Sequence, residues 1–296
     1  MSRKLLLLAA SVAFLSGAAT FAQAADVLEP QVVDLPEPAM PVAAPTHGGW
    51  YLRGDIGYSM NKMSDVEYDV FGGAPGSFST GLLLTDKLRS GYSLGAGVGY
   101  DTGNYLRFDL TADYFAKTNF NGNTYCNDPA VAGDPDVICS DDSSSLTALS
   151  LMANAYIDLG KYNGFTPYVG AGIGGTHVKW GTENNVCTAA GLANGVCTTD
   201  THPGAANWRF TYAAMAGVSY DVTDCVAVEA GYRYRKIEGG KMFGISSGGL
   251  APAGYDKGIS SHDFRVGARF KLAGLSGGCG ASHVPDYQPD YQPVYK

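Results

Sequence analysis

Residues 261–272 read Ser-His-Asp-Phe-Arg-Val-Gly-Ala-Arg-Phe-Lys-Leu, and from Asp263 to Leu272 the apolar residues alternate with polar residues and one glycine. Successive side chains of a β-strand point to opposite faces, so this stretch would have one apolar and one polar face. Seven other stretches show the same alternation, at about residues 50–60, 92–100, 105–115, 146–159, 167–174, 207–220 and 226–236. The sequence therefore predicts an all-β protein with eight main strands.

The connections between these strands alternate strictly between short and long. Three of them are short turns, at residues 101–104, 160–166 and 221–225. Four are long and polar, at residues 61–91, 116–145, 181–206 and 237–260. Membrane barrels combine short periplasmic turns with long extracellular loops, whereas a soluble sandwich has no reason for this regularity. We therefore predict an eight-stranded antiparallel transmembrane β-barrel over residues 49–272, with both termini in the periplasm.

Both ends of the chain differ from the predicted barrel. Arg3 and Lys4 precede an apolar run from Leu5 to Leu15, and small residues and Ala22-Gln23-Ala24 follow it, which is typical of a secretory signal peptide over residues 1–24. Residues 25–48 are Pro-rich, and residues 273–296 repeat Pro-Asp-Tyr-Gln, without hydrophobic periodicity in either segment. The sequence predicts two extended tails in the periplasm.

Charge argues against nucleic acid as a partner. Loss of the signal peptide would leave 18 basic and 28 acidic residues, a net charge of −10. An acidic chain of this kind lacks the basic surface that nucleic-acid binding requires.

The polar faces of the predicted strands would line the lumen of the barrel. Seven basic groups are assigned there: Arg53, Arg107, Arg233, Arg235, Arg265, Arg269 and Lys271. Six acidic groups join them: Asp55, Asp109, Asp113, Asp158, Glu229 and Asp263. Such balanced charges should form ion pairs, and eight strands enclose little more than their own side chains. We therefore expect no open pore, and an Asp109→Ala or Arg265→Ala variant should insert but be less stable or more conductive.

Glycines on the inward faces of two strands leave a narrow water-filled path as an alternative to a closed lumen. The inward faces of the strands at 92–100 and 167–174 are rich in glycine. This leaves room for large Arg and Tyr side chains, and a narrow wet path along the glycines is the alternative.

Six cysteines in an exported chain indicate disulfides, and no Cys-x-x-Cys spacing suggests zinc. Two pairs each share one long loop, and the remaining two cysteines flank the periplasmic side of the last strands. The predicted bridges are Cys126–Cys139, Cys187–Cys197 and Cys225–Cys279.

Few other residues could carry chemistry. His177, His262 and Ser261 lie near the predicted extracellular rim, but no acidic residue stands at a fixed spacing to orient them, so we expect no catalysis. A cluster of acidic residues lacks the spacing of a calcium-binding EF-hand loop, and a solvated loop is favoured for it: Asp134, Asp136, Asp141 and Asp142. We expect no cofactor.

Several motifs in order carry a resemblance to a known family. They are the signal peptide that ends in Ala-Asp-Val, the Pro-rich linker, Gly49-Trp50-Tyr51-Leu52-Arg53-Gly54-Asp55-Ile56-Gly57-Tyr58, Pro167-Tyr168-Val169-Gly170-Ala171-Gly172 and Arg265-Val266-Gly267-Ala268-Arg269-Phe270. Over about residues 50–272 the chain resembles the small porin-like outer membrane proteins of alphaproteobacteria, relatives of the OmpA membrane domain and OmpX. The resemblance implies an abundant envelope protein of a Gram-negative bacterium, surrounded by outer membrane lipid and lipopolysaccharide.

The resemblance also implies two further partners. Ala25 and Asp26 would attach the mature N-terminus to peptidoglycan, and Phe270 would be the signal for the barrel-assembly machinery. The chain departs from the family pattern because residues 273–296 follow the last strand. Three functions are considered: a structural barrel that supports envelope integrity, a narrow porin-like channel, and an adhesin or ligand-binding protein that uses its disulfide-stapled loops.

Overall fold

A computed structural model of the chain describes residues 48–71, 78–82, 85–125, 138–189, 192, 199–247 and 253–272. Its strands are β1 (Gly49–Met63), β2 (Val66–Phe71), β3 (Phe78–Leu82), β4 (Thr85–Leu88), β5 (Gly91–Asp101), β6 (Leu106–Tyr125), β7 (Ile138–Asp158), β8 (Phe165–Trp180), β9 (Glu183–Cys187), β10 (Asp200–His202), β11 (Ala206–Asp221), β12 (Val226–Phe243) and β13 (Gly254–Lys271). Across these ranges no helix is long and apolar enough to span a membrane.

Eight of the strands close into an antiparallel ring. The order is β1, β5, β6, β7, β8, β11, β12 and β13, and β13 pairs back onto β1. The last strand thus closes the barrel, as Phe264 lies opposite Tyr58 of β1 and also opposite Tyr232 of β12. The predicted all-β, eight-stranded antiparallel barrel is confirmed.

The outer face of the ring is apolar and exposed. Leu94 on β5, Leu110 on β6 and Ile173 on β8 have 61–63% of their surface exposed. On each of these strands the residues next to the exposed one face inward. An exposed apolar band of this kind is typical of a surface that contacts lipid. Aromatic side chains border the band, with Trp50 against Tyr100 near one edge.

Tight turns join the strands at one end, which we call the turn end. In the connection between β7 and β8, Asn163 and Gly164 have φ of 50° and 86°, and Tyr162 and Phe165 exchange backbone hydrogen bonds of 2.7 and 2.9 Å. Two successive residues with positive φ define the turn that best matches strand twist, and Asn-Gly is its preferred sequence. The three predicted short connections are all present at this end.

The opposite end, which we call the loop end, differs from the sequence prediction. Residues 116–125 and 138–145 were assigned to a loop, but they extend β6 and β7 as paired strands, and β9 adds to the edge of β7. Beyond the lipid band the outer face no longer has to be apolar, so the alternation that marks a membrane strand ends before the strand does. The strands therefore rise well past the apolar band.

Candidate functional site: a filled and capped lumen

Glu229 is the centre of the charge cluster nearest the turn end. Its carboxylate lies 3.4 Å from Arg53, 3.5 Å from Arg107 and 2.5 Å from Arg269, so guanidinium groups of β1, β6 and β13 converge on one residue of β12. Arg107 also contacts Asp158 at 2.7 Å. All of these side chains are largely buried, and close pairing is what offsets the cost of removing their charges from water.

A second carboxylate in this layer, Asp109, is surrounded by hydrogen-bond donors. Arg53 donates to it at 2.8 Å and the Asn154 amide at 2.7 Å, while the Tyr51 and Tyr156 hydroxyls lie 3.3 and 3.4 Å away. Parity along β6 places Asp109 in the lumen, and residues from β1 and β7 complete its environment. The layer is thus a network across the barrel and not a set of separate pairs.

Aromatic rings and glycines shape this layer. The Arg107 guanidinium lies 5.1 Å from the centre of the Tyr156 ring and 5.2 Å from that of Tyr168. A side chain at Gly170 would place its Cβ 2.6 Å from the Tyr156 ring, and one at Gly95 would place its Cβ 2.5 Å from Asp113. The inward glycines therefore provide the space that the large Arg and Tyr side chains fill.

A chain of alternating charges crosses the middle of the lumen. Arg265 donates from Nε to Asp55 at 2.9 Å and from Nη2 to Asp113 at 2.8 Å. Arg233 then joins Asp113 at 2.8 Å to Asp263 at 3.0 Å. Residues of β1, β6, β12 and β13 meet here, so this chain of charges links strands that are far apart around the ring.

Arg235 is the last member, towards the loop end, of the charge network in the middle of the lumen. It lies 3.5 Å from Asp263 and donates to the Ser261 hydroxyl at 3.0 Å, and its guanidinium stacks 3.7 Å from the centre of the Phe115 ring. Phe115 lies on the inward face of β6, where the polar side chains of that strand give way to apolar ones. The lumen therefore changes character at this level.

Above Arg235 the interior contains an apolar cluster that the sequence analysis did not anticipate. Trp180 packs edge-on against Phe120 and Phe243, with ring centres 5.6 and 5.5 Å apart, and all three side chains are buried. The cluster also contains Met63, Val66, Leu88, Phe115, Leu146, Ala148, Val178, Ile237, Met242 and Ile259. We call it the apolar cap. The sequence indicates this cluster by one pattern. Beyond the charged positions, every second residue on the inward face of several strands is apolar.

The set of charged residues in the lumen differs from the predicted set in two respects. Lys271 was assigned to the lumen but is exposed, because at the last position of β13 the interior opens to solvent. Arg209 and Asp256 were not assigned to it, yet both are buried on the inside of the loop end and form an ion pair of 2.6 Å. Burial raises the pKa of the Asp256 carboxyl, and Arg209 and the Gly258 N–H lower it in part, so the carboxyl depends on these partners to stay charged.

Little free space is left between the charged layers. One lumen cavity, among Arg53, Tyr156, Glu229 and Arg233, has a volume of about 20 Å³, and another beside Arg235 is the same size. A space of this size holds about one water molecule. Arg233 lines the first cavity and Arg235 the second, and Asp263 forms ion pairs with both arginines.

The remaining predicted site residues are dispersed. Ser261 faces the lumen, whereas His262 faces outward and lies 2.7 Å from the Tyr232 hydroxyl. His177 is also on the outer face, beside Trp208, so these three residues do not form one site. Asp141 is exposed and accepts from Asn123, while the adjacent Asp142 is buried on the other face of β7.

Two cysteines are described with their side chains. Cys187 at the end of β9 and Cys225 in the last turn are each disulfide-bonded. Cys139 belongs to β7, but its side chain is outside the described part of the chain. The other predicted positions also lie outside it: Ala25, Asp26, Cys126, Asp134, Asp136, Cys197 and Cys279.

A closed antiparallel ring with an apolar outer band, bordered by aromatic residues and filled with paired charges, defines a transmembrane β-barrel. Comparison with known proteins agrees with this class. The family model described as "Outer membrane protein beta-barrel domain" matches residues 8–271, so the chain belongs to the outer membrane β-barrel family. This family is found in the outer membrane of Gram-negative bacteria.

Curated relatives cover most of the chain. An uncharacterized protein of Brucella abortus (strain 2308) is 34% identical over 280 residues, which span 85% of this chain and 93% of the relative. Outer membrane protein PagN of Salmonella typhimurium is 28% identical and spans 75% and 89%. A putative adhesin of Rickettsia bellii is 26% identical and spans 75% and 88%.

Solved barrels also align with the chain. Neisserial surface protein A matches with a TM-score of 0.42 and 18% identity over 76% of this chain and 99% of its own. The outer membrane protein OprG of Pseudomonas aeruginosa matches with a TM-score of 0.42 and 16% identity over 77% and 98%.

Proposed function

We propose that this protein is a structural barrel of the outer membrane, which supports the envelope and does not conduct. One observation carries the proposal, namely that two different sets of side chains fill the lumen. Layers of paired Arg and carboxylate side chains fill its lower and middle parts, and the apolar cap seals it towards the loop end. A porin-like channel, the alternative, would need both fillings to move aside.

Conductance in a planar lipid bilayer tests this proposal. The full mature chain should give no stepwise conductance in concentrated KCl, while a known porin added to the same bilayer should give steps at once. A Trp180→Ala variant helps to exclude contaminants, because Trp180 is buried in the cap. Steps from the wild-type protein that change in size in the Trp180→Ala variant would contradict the proposal, since those ions would be passing through this lumen.

We further propose that the turn end and both termini face the periplasm. The short turns support this orientation, because barrels of this class keep short turns on the periplasmic side. In this arrangement Ala25 and Asp26 lie on the same side as peptidoglycan, to which they would attach, and Phe270 near the turn end would be read by the barrel-assembly machinery. Mass spectrometry of muramidase-digested cell walls tests the attachment, which would appear as Ala25 peptides that carry a peptidoglycan fragment.

A surface-binding role is the second candidate. Two observations favour it: relatives in Rickettsia bellii are named putative adhesins, and the loop end carries the extra strands β9 and β10, with a disulfide-bonded Cys187. Replacing residues 188–199 with a Gly-Ser linker, together with Cys187→Ser, tests it. This variant should insert normally and lose attachment to host cells if the loop binds them. Unchanged attachment would remove this candidate.

A further inference from the structure

The charge network of the lumen ends at Arg235, where part of the guanidinium group has no acceptor. Its Nη2 donates to the Ser261 hydroxyl at 3.0 Å and lies 3.5 Å from Asp263. Its Nε and Nη1 are buried, and neither has a hydrogen-bond partner in the described part of the chain. Charged donors that are buried without an acceptor lose their hydrogen bonds to water and gain none in return. Arg235 is therefore able to bind a further acceptor.

The negative charge next to Arg235 is shared with a second arginine. Asp263 lies 3.0 Å from Arg233 and 3.5 Å from Arg235, and the two arginines are two residues apart on the inward face of β12. Arg233 has a second carboxylate, Asp113 at 2.8 Å, which it shares in turn with Arg265. Within the described lumen Arg235 has no second carboxylate. The positive charge at this end of the network is therefore only partly balanced.

A small cavity adjoins this end of the network. It has a volume of about 20 Å³ and lies where the charged part of the lumen meets the apolar cap. Arg235 lines it together with the polar side chains of Ser59, Asn61 and Thr118, and none of its described lining residues is acidic. The wall towards the cap is apolar and includes Phe115, Leu146, Ala148, Val178, Ile237 and Ile259. The cavity thus combines one buried cation with neutral polar groups and hydrocarbon.

The size and the lining of this cavity limit what it can hold. A space of about 20 Å³ admits one particle of about the size of water, so an oxyanion such as sulfate or phosphate is too large. A water molecule bound there would have to donate its own hydrogens as well as accept, and the apolar wall offers it no acceptor. A monatomic anion accepts without donating, and its charge would complete that of Asp263 at Arg235. The lining therefore favours a halide ion over water.

We propose that a single chloride ion binds in this cavity, between Arg235 and the apolar cap. The ion accepts hydrogen bonds from the Nε and Nη1 groups of Arg235, with the buried Ser59 hydroxyl as a further donor. It balances the charge at the end of the network at the level where the apolar cap begins. This inference goes beyond the proposed function, since a closed barrel does not by itself require a bound ion.

Crystals of the full mature chain, refolded and grown in sodium bromide, test the position of the ion. Bromide replaces chloride and scatters anomalously near its absorption edge, which distinguishes it from water. We expect an anomalous difference peak within hydrogen-bond distance of Arg235 Nε or Nη1, and no such peak in an Arg235→Met variant. A water molecule at this position without an anomalous signal would overturn the proposal. A peak that persists in the Arg235→Met variant would overturn it as well.

Urea unfolding in lipid vesicles measures the same site without crystals. An ion that binds one site of the folded barrel alone lowers the unfolding equilibrium constant about tenfold for each tenfold rise in its concentration above the dissociation constant. Sodium gluconate at equal ionic strength is the reference salt, because the gluconate anion is far too large for the cavity. General effects of salts on stability act on every variant alike. The readout is therefore the difference between the bromide dependence of the wild type and that of each variant.

Two cavity variants and one control make this measurement specific. An Ala148→Val variant keeps Arg235 and fills the cavity with methyl groups, because Ala148 is buried in its wall. This variant and Arg235→Met should both lose the bromide dependence, whatever their overall stability. Lys161→Met removes an exposed cation at the turn end and should keep both the dependence and the bromide peak. Equal dependence in the wild type and the two cavity variants would overturn the proposal, since bromide would then act on the barrel as a whole.

Discussion

At the scale of single residues, the described interior uses arginine and not lysine for its buried cations, while the exposed lysines lie on the surface. Arginine is always charged, and its planar fork can hold two carboxylates at once, as Arg233 holds Asp113 and Asp263. Lysine has a single strongly hydrated charge, which suits a position at the edge of the membrane. The cost of this interior is that each buried ion depends on its partners.

Asp113 shows this dependence most clearly, because it lies between Arg233 and Arg265 at 2.8 Å from each. In an Asp113→Ala variant the buried cations Arg233 and Arg265 would lose the carboxylate between them, and each would keep only one acidic partner, Asp263 or Asp55. We expect the free energy of unfolding to fall by about 3–5 kcal/mol, as for other broken buried pairs. Urea unfolding of the barrel in lipid vesicles, followed by tryptophan fluorescence, measures the loss.

An Asp221→Ala variant is the matched control for this measurement. Asp221 pairs with Lys161 at the turn end, where the lysine side chain is 61% exposed, so its loss should cost no more than about 1 kcal/mol. Equal losses in the two variants would mean that the pairs of the middle layer contribute no more than a surface pair.

The sequence alone predicts which residues face the lumen wherever a strand crosses the lipid band, because there the outer face must be apolar. Asp109 and Arg265 could therefore be assigned to the lumen without a structure. Arg209 and Asp256 could not be recognised as a pair, because Asp256 lies beyond the band in a segment that read as a loop. Which carboxylate meets which arginine depends on how far each strand is shifted along its neighbour, and no local pattern encodes that shift.

At the scale of elements, the two ends of the barrel follow different rules. The turn end is specified locally, by Asn163-Gly164 and by the Asp101 carboxylate, which accepts from the Gly103 N–H at 2.8 Å. The loop end is specified by tertiary packing on the apolar cap. β6 and β7 reach lengths of 20 and 21 residues because they pair with each other beyond the lipid band. Sequence reasoning therefore located the turns and misjudged the strand lengths.

Gly164 gives a test at this scale. Its φ is +86°, and a Cβ there would lie 2.9 Å from the Tyr220 ring, so a Gly164→Ala variant would strain the turn. We expect a loss of about 1–2 kcal/mol in the free energy of unfolding, together with slower folding into vesicles. The folded and unfolded forms can be separated by their gel mobility. The folded fraction at equilibrium gives the free energy of unfolding, and its increase with time gives the folding rate.

Gly54→Ala is the corresponding control. Gly54 lies on the lipid-facing side of β1, and a Cβ there would have its nearest neighbour 4.0 Å away. This variant should fold at the wild-type rate. A Gly164→Ala variant that behaved in the same way would show that the turn does not require positive φ at this position.

At the scale of the whole barrel, the usual distribution of polarity is inverted over the lipid band, with apolar side chains outside and charged ones inside. Composition does not reveal this inversion, because a soluble β-protein could equally have 45% hydrophobic and 16% charged residues. The alternation of short and long connections revealed it, since it reflects the two different compartments on either side of a membrane. The apolar cap then restores an ordinary hydrophobic core where the strands leave the lipid.

The same asymmetry predicts which end of the barrel is outside. Lys241 is exposed near the end of β12 at the loop end, and Lys161 is exposed in a short turn at the other end. A membrane-impermeant maleimide should label a Lys241→Cys variant on intact cells, and it should label a Lys161→Cys variant only after the outer membrane is permeabilised. Cys187 and Cys225 are already disulfide-bonded, so neither should contribute to the signal. The reverse labelling would place both tails outside, away from peptidoglycan, and would contradict the proposed orientation.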